Sequence, residues 1–230
     1  MSVSPVGSAE PPAPPKPDPE PPTAAEAARI VTEAFKDPDW GAFVWTAMTT
    51  GARRGELCAL RRSDRQSGVL RIPRSVAGRR ANLQEKDTKT HQRRRVPLDS
   101  ESNAVLDELI ARQDARAAEL GLTITEDAYL FSLDPDCSRP PVPDSVSQRY
   151  DRMAKKLGIK TTLHRLRHYN ATELLAAGAD LRTVAGRLGH AGGGATTLRV
   201  YAAYVDEAST KAAESLANRM PRRPGSTDHR

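Results

Sequence analysis

The chain has 230 residues, of which 38% are hydrophobic and only 4% aromatic, so we expect one sizeable domain with an aliphatic core. The net charge of +6 favours a polyanionic partner, most simply nucleic acid, although a basic soluble surface would carry the same charge. Cys58 and Cys137 lack the paired spacing of a metal site and argue against a disulfide scaffold. Because no apolar run could span a membrane and no signal-peptide core is found, a cytoplasmic protein is expected.

Proline dominates the first part of the chain, where it alternates with charged residues. Such a segment cannot bury a core, so a disordered, extended linker is predicted over residues 1–22. A ligand for an SH3-type domain is the alternative interpretation. A polar, disordered tail is predicted over residues 220–230, which leaves residues 23–219 as the folded domain.

Helical periodicity fills most of this domain. Thr23 is predicted to cap a first helix that runs to Phe35, Asp37 to open a second that stops at Gly51, and residues 53–60 to form a third. Cys58 lies on the apolar pattern of that third helix and is expected to be buried. Further helices are predicted at about residues 101–120, 143–157, 163–176, 181–188, 195–204 and 207–219.

Between the third and fourth helices the pattern is typical of strands. Residues 69–72, the residues near Leu83 and residues 95–98 each indicate a strand, and Pro97 suggests an edge or a strand end. The fold class is therefore predicted as α+β, mainly α, with a small three-stranded antiparallel sheet. Lys89 would lie near the second turn of this sheet.

A series of basic residues that ends in a tyrosine is the strongest chemical signal. Arginines can clamp a phosphate, histidine and lysine can move protons, and a tyrosine can attack phosphorus. The candidates are Arg53, Lys89, His164, Arg167, His190 and Tyr201, with Glu56 holding an arginine in place. Taken alone, Arg53 with Glu56, or His164 with Arg167, would also fit a solvated pair on one helix face.

The helix that carries His164 and Arg167 is expected to present both side chains on a polar face. Leu163, Leu166 and Leu174 are expected on a different, apolar face. His164 also lies four residues before His168, a spacing that zinc ligands adopt. However, no glutamate follows His164 in the metalloprotease pattern and arginines flank the histidines, so no metal site is predicted.

A second interpretation keeps DNA as the partner but removes the chemistry. Residues 173–190 are typical of a helix-turn-helix, in which Arg182 and Arg187 would reach bases or phosphates. The protein would then bind DNA without catalysis, and Arg53 and Lys89 would have no role.

Taken in order, the motifs resemble the catalytic domain of the tyrosine recombinases, the phage-integrase type, over roughly residues 23–219. The matching motifs are Thr-Gly-x-Arg-x-Gly-Glu at 50–56, Lys89 before the run at 94–98, His164-x-x-Arg167, Leu188-Gly189-His190, and Tyr201. Arg165 stands where the family often has an acidic residue, and Arg62 where it often has tryptophan. The glycines at 192–194 lengthen the interval between His190 and the tyrosine, so Tyr204 is a rival nucleophile.

The resemblance implies an enzyme that breaks and rejoins DNA without metal or ATP. Tyr201 would form a 3′-phosphotyrosine, and Arg53 and Arg167 would stabilise the charge on the phosphate. Lys89 would protonate the departing 5′ oxygen, while His164 and the family's second histidine, His190, would bond the phosphate or assist proton transfer. A type IB topoisomerase shares this chemistry but relaxes DNA alone, and the small size and Leu-Gly-His motif favour a recombinase.

The implied partner is double-stranded DNA, with further contacts from Arg93, Arg94, Arg95 and Arg165. The working assembly would be a tetramer on synapsed DNA, formed from monomers when free, with accessory DNA-bending proteins and no membrane. The expected location is the cytoplasm, at the nucleoid. The family's N-terminal core-binding domain has no counterpart in the sequence, so the chain is expected to be a catalytic half.

Overall fold

The computed structural model describes residues 21–79, 82–87 and 94–189, and their fold is mainly helical. The helices are α1 (Ala24–Ala34), α2 (Pro38–Thr50), α3 (Arg54–Cys58), α4 (Ser100–Glu119), α5 (Pro143–Leu157), α6 (Leu163–Ala176) and α7 (Leu181–Leu188). The strands are β1 (Arg65–Gln66), β2 (Val69–Ile72), β3 (Arg74–Ala77), β4 (Gln84–Asp87) and β5 (Arg94–Pro97). Of the helices described, none is both long and apolar enough to cross a membrane.

Side chains that cap the backbone set the helix boundaries. At α1, the Thr23 hydroxyl accepts from the Glu26 amide at 3.2 Å and the Glu26 carboxylate accepts from the Thr23 amide at 2.8 Å, which satisfies two otherwise unpaired donors. The Asp37 carboxylate caps α2 by accepting from the amides of Asp39 and Trp40, and α2 ends at Gly51 in a left-handed conformation with φ of 62°. The predicted boundaries of these helices are therefore confirmed.

The core forms around α2, whose buried residues face α1, α4 and α6. Aliphatic side chains fill most of it, as the low aromatic content predicts, and Leu57, Leu106, Leu109 and Leu166 are almost completely buried. Cys58 is also fully buried, and burial raises the pKa of its thiol to about 12. At neutral pH this cysteine is therefore a small hydrophobic side chain, as predicted.

The strands form two small antiparallel sheets. β2 lies between β1 and β5 in a three-stranded sheet, and β3 pairs with β4 in a separate hairpin. A three-stranded sheet is confirmed, with β5 at its edge, but its third strand is β1 rather than the strand near Leu83. Pro73 lies between β2 and β3 and has no amide hydrogen for a ladder, so the chain leaves one sheet there and begins the next.

Two glycines that end helices allow a matched test of the packing between the end of α2 and α7, since one of them lies at this contact and the other does not. Gly51 at the end of α2 (φ 62°) and Gly158 at the end of α5 (φ 70°) both adopt the left-handed conformation. A Cβ on Gly51 would lie 2.5 Å from Leu188 Cδ2 in α7, whereas a Cβ on Gly158 would meet nothing within 4 Å. We expect Gly158→Ala to cost about 1 kcal/mol from backbone strain alone, and Gly51→Ala to cost a further ~1–3 kcal/mol from overpacking. Urea unfolding of both variants measures the difference, and equal losses would show that this contact does not matter.

Candidate active site

Arg53 lies at the N-terminal boundary of α3, where the Glu56 carboxylate fixes it twice. Glu56 accepts from the Arg53 amide at 2.6 Å and from Arg53 Nη1 at 3.0 Å. A third contact joins Arg53 Nη2 to the carbonyl of Gly189 at 3.3 Å. The Arg53 side chain is nevertheless 45% exposed, so its guanidinium is oriented by the protein and still open to solvent.

Arg94 binds the same carboxylate of Glu56. Its Nη1 and Nη2 donate to the two oxygens of Glu56 at 2.9 and 2.6 Å, and the residue is only 7% exposed. The prediction that Arg94 contacts DNA is therefore wrong, because its guanidinium is buried and engaged by Glu56. The next residue, Arg95, is exposed because successive strand residues face opposite sides of the sheet, and it keeps its proposed role.

The two arginines determine the protonation state of Glu56. Burial raises the pKa of this carboxyl, but the hydrogen bonds and charges of Arg94 and Arg53 outweigh burial, so the pKa lies below its ordinary value. Glu56 is therefore ionised at neutral pH, and one buried carboxylate faces two guanidinium groups. The predicted role of Glu56 in holding an arginine applies to Arg94 as well as to Arg53.

Arg167 is bound by the main chain at the ends of two helices. Its Nη1 donates to the carbonyl of Gly51 and its Nη2 to the carbonyl of Leu188, both at 2.6 Å. These carbonyls lie at the negative ends of α2 and α7, which favour a cation. Arg167 is 3% exposed, so the expected polar face is wrong for this residue: it lies on the buried face of α6 with Leu163 and Leu166.

His164 is exposed, one turn before Arg167, and lines a groove of about 770 Å³ together with Arg53. Partial desolvation of the imidazole lowers its pKa, and the charges of Arg167 and Arg53 lower it further. Arg53 and His164 line the same groove, and Arg53 and Arg167 donate to the carbonyls of the adjacent residues Gly189 and Leu188, so the three side chains lie close together. His164 is therefore neutral at pH 7, able to donate from one ring nitrogen and accept at the other.

His168 packs edge to face against His164, with ring centroids 5.0 Å apart. Burial lowers the pKa of His168 to about 4, and the charges of His164, Arg167 and Arg165 contribute. A divalent cation here would be repelled by the same guanidinium groups. Within the described ranges, no group of three or more His, Cys, Asp or Glu side chains is arranged to hold a metal ion.

Residues of α3 line the groove, and strand β3 of the β3–β4 hairpin packs against this helix. A Cβ on Gly55 would lie 2.5 Å from the carbonyl oxygen of Val76 and 2.6 Å from Ser75 Oγ, so the motif needs glycine there to admit the hairpin. Arg54 crosses to α5, where its Nη1 donates to Ser147 Oγ at 2.6 Å. Sequence reasoning missed these two contacts, although Gly55, two residues after Arg53, was a signal for a close approach of backbone.

Four predicted site residues, Lys89, Arg93, His190 and Tyr201, lie outside the described residues, as does the rival Tyr204. The described chain places the neighbours of two of them. Arg94, which follows Arg93 in the sequence, is held by Glu56, and Gly189, which precedes His190, accepts from Arg53.

The helix-turn-helix interpretation meets a specific obstacle at α7. Arg187 is half-buried and donates to the carbonyls of Thr49, at 3.0 Å, and Pro97, at 3.3 Å. Val184 and Leu188 are buried against the rest of the domain. Because α7 supports the end of α2 and the edge strand β5, Arg187 is not free to reach bases, although Arg182 is exposed.

Comparison with known families decides between these interpretations. The model of the phage integrase family matches residues 24–207, most of the chain. The chain belongs to this family. The match includes Arg53, His164 and Arg167, which the fold brings together.

Two relatives support the same assignment. A "tyrosine recombinase XerC-like" protein of Caldanaerobacter subterraneus is 27% identical over 207 residues, which cover 83% of this chain and 52% of the relative. The "tyrosine recombinase XerD" of Bradyrhizobium diazoefficiens is 29% identical over 153 residues, or 62% of this chain and 45% of the relative. The chain thus spans about half the length of these relatives.

Solved structures share the fold. The crystal structure of XerA recombinase matches with a TM-score of 0.65 at 24% identity, over 92% of this chain and 67% of that one. A Tn1549 transposon integrase in complex with transposon right end DNA matches with a TM-score of 0.71 at 20% identity, over 88% of this chain and 67% of that one. The predicted fold class, α+β and mainly α with a small three-stranded antiparallel sheet, is confirmed, and the β3–β4 hairpin adds a second sheet that was not predicted.

The Glu56–Arg94 pair should make a large contribution to stability. Glu56→Gln leaves the buried Arg94 without its counter-charge, and we expect a loss of about 3–5 kcal/mol in unfolding free energy at pH 7. The pKa of Glu56 is depressed in the folded state. The contribution of Glu56 to the unfolding free energy is therefore fully present at pH values above the ordinary glutamate pKa of about 4.3, and it is lost as the pH falls through the folded-state pKa. Urea unfolding between pH 7 and pH 3 measures both effects.

Asp107→Asn is the matched control for Glu56→Gln. Asp107 also pairs with an arginine, Arg65, but its side chain is 65% exposed, so we expect a loss under about 1 kcal/mol. Similar losses for the two variants would contradict the importance of the buried pair.

The charge of Arg53 should be measurable at His164. Replacing Arg53 by glutamine removes one of the cations that lower the His164 pKa, so the pKa should rise, while partial desolvation and the charge of Arg167 keep it below its ordinary value. An NMR titration of the imidazole protons measures this. Arg54→Gln is the control, because Arg54 is not among the groups that depress this pKa; an equal rise in both variants would contradict the proximity of Arg53.

Proposed function

We propose that this chain is the catalytic domain of a site-specific tyrosine recombinase, which cleaves and rejoins double-stranded DNA through a 3′-phosphotyrosine intermediate. The observation that carries the proposal is the convergence of Arg53, Arg167 and His164 from distant parts of the sequence. Two guanidinium groups and a neutral imidazole beside one groove match the needs of a phosphodiester in displacement.

The arginines would stabilise charge on the non-bridging oxygens. Arg53 is open to the groove and pre-oriented by Glu56, so a phosphate could bind without rearrangement of the protein. Arg167 would contribute its charge from a fixed position below, since two main-chain carbonyls hold it. The cluster contains three guanidinium groups, counting Arg94, and one carboxylate, so its positive charge favours the pentavalent phosphate.

The chemical step would exchange one phosphodiester for another. The Tyr201 oxygen forms a bond to phosphorus as the bond from phosphorus to the 5′ oxygen breaks, and Lys89 gives that oxygen a proton. Neutral His164, with His190, would accept the tyrosine proton or donate a hydrogen bond to the phosphate. Attack by a 5′-hydroxyl from another strand reverses the step and restores the tyrosine, so the cycle needs neither metal nor ATP.

The remaining partners belong to the same proposal. Arg93, Arg95 and Arg165 would contact the DNA backbone around the groove, and their phosphate contacts would make binding depend on salt. The active assembly would be a tetramer on synapsed DNA, formed from free monomers and aided by DNA-bending proteins, in the cytoplasm at the nucleoid. The names of the relatives, tyrosine recombinases XerC-like and XerD, support this proposal.

A type IB topoisomerase remains the competing enzyme of the same chemistry. Incubation with supercoiled DNA that carries two cleavage sites distinguishes the two: a recombinase exchanges strands between sites, whereas a topoisomerase relaxes plasmids whether they carry two sites or one.

Covalent trapping tests the nucleophile. With Tyr201→Phe, we expect no protein–DNA adduct on the nicked duplexes that the wild-type chain cleaves, because only the attacking oxygen is lost. DNA affinity should be nearly unchanged, because it depends on cationic contacts to phosphates. Denaturing gels measure the adduct and a salt series measures affinity.

Tyr204→Phe is the control for the nucleophile, since it removes the same hydroxyl three residues later. The adduct should persist in this variant. An adduct that survives Tyr201→Phe and disappears with Tyr204→Phe would reverse the assignment.

A further inference from the structure

One carboxylate serves two arginines, and each of its oxygens accepts from both. Glu56 Oε1 accepts from Arg53 Nη1 at 3.0 Å and from Arg94 Nη1 at 2.9 Å. Glu56 Oε2 accepts from the Arg53 amide at 2.6 Å and from Arg94 Nη2 at 2.6 Å. Arg94 therefore binds the carboxylate through its planar fork, whereas the Arg53 side chain holds it through a single nitrogen.

Burial decides which of the two arginines sets the position of the carboxylate. The side chains of Arg94 and Glu56 are 6% and 3% exposed, but that of Arg53 is 45% exposed. The buried pair is fixed by the surrounding structure, while an exposed guanidinium can rotate. Without the two-point contact from Arg94, Glu56 could turn both oxygens toward the Arg53 side chain. The guanidinium of Arg53 would then move away from the groove, and the carboxylate would neutralise its charge.

Arg94 also supports the second acceptor of Arg53. A Cβ on Gly189 would lie 2.9 Å from Arg94 Nη1 and 3.2 Å from Arg94 Cδ, so the Arg94 side chain packs directly against this glycine. The carbonyl of Gly189 is the group that accepts from Arg53 Nη2. Both groups that orient the guanidinium of Arg53, Glu56 and Gly189, therefore rest on Arg94.

We infer that Arg94 is a positioning residue: by occupying Glu56 and supporting Gly189, it keeps the guanidinium of Arg53 directed into the groove with its charge available to a phosphate. The inference rests on the proposed function for the role of Arg53, but the positioning itself is a property of the free protein. It replaces the DNA contact that the sequence predicts for Arg94.

Arg94→Lys is the decisive variant because it keeps the charge and removes the fork. A lysine ammonium is a point charge that cannot reproduce the planar two-point contact with Glu56. We expect Arg53 to turn toward Glu56, so that His164 loses a nearby positive charge. Measured by NMR titration of the whole chain, the His164 pKa should rise toward its value in Arg53→Gln. Arg94 is not among the groups that depress this pKa, so the change would report on Arg53.

Arg62→Lys is the matched control. Arg62 is similarly buried, and its guanidinium binds Asp114 at 2.6 Å and Gln113 at 3.0 Å, on the α4 side of the domain. The same substitution there should lower stability and leave the His164 pKa unchanged. An unchanged His164 pKa in folded Arg94→Lys, or an equal rise in Arg62→Lys, would overturn the positioning role.

A second measurement separates this inference from the proposed function. On a nicked duplex that the wild-type chain cleaves, Arg94→Lys should slow adduct formation by about a hundredfold at saturating DNA, since a small misplacement of a catalytic group has effects of this size. DNA affinity should change little. Wild-type protein that forms no adduct with any member of a random-sequence library of nicked duplexes would count against the proposed function, while the titration would still decide the role of Arg94. If the wild-type chain cleaves DNA and Arg94→Lys forms the adduct at an undiminished rate, the positioning role of Arg94 is refuted and the proposed function is not.

Discussion

The Glu56 carboxylate accepts four hydrogen bonds, two from Arg53 and two from Arg94, at a position almost closed to water. A charge in such a place is tolerated only when its lone pairs are satisfied, and here cations satisfy them. The same contacts connect α3 to β5, two elements that are distant in sequence. The position of Arg53 in the groove follows from this connection, because Glu56 binds both its amide and its guanidinium.

A second constraint comes from the ends of α2 and α7. Both helices finish at left-handed glycines, Gly51 and Gly189, and Arg167 joins their last turns through two carbonyls. A buried guanidinium is costly without acceptors, and the carbonyls at helix ends need donors. The hydrogen bonds from Arg167 satisfy both the guanidinium and the carbonyls. The Gly189 carbonyl then accepts from Arg53, which brings the two arginines to one place.

The helices could be predicted closely because their signals are local. Apolar periodicity gives the bounds of α5, α6 and α7 without error, and Asp180 also marks the start of α7 as its capping residue. The strands were harder: β1 has two polar residues and no pattern to detect, and the switch of sheets at Pro73 depends on tertiary pairing.

Burial of the arginines was the main feature that sequence reasoning missed, although signals existed. Arg94 alternates with Val96 along β5, which places both on the inner face, but two further arginines beside it suggested a solvated run. Arg167 follows Leu163 by four residues, which places both on the buried side of α6. In both cases the position in the periodic pattern predicts burial better than the charge of the side chain does, because a guanidinium can be buried where hydrogen-bond acceptors surround it. The choice of acceptors could not be predicted, since they come from distant parts of the chain.

Two acceptors of Arg167, the carbonyls of Gly51 and Leu188, have a further consequence for protein engineering. Because they are main-chain carbonyls, exchanging the side chain of Leu188 for another apolar one would leave the hydrogen-bonding group in place. A graft of this site onto another scaffold could not succeed by copying side chains alone. The new backbone would have to bring together the C-terminal ends of two helices, each ending at a glycine in the left-handed conformation. Their terminal carbonyls would have to be close enough for one guanidinium to donate to both.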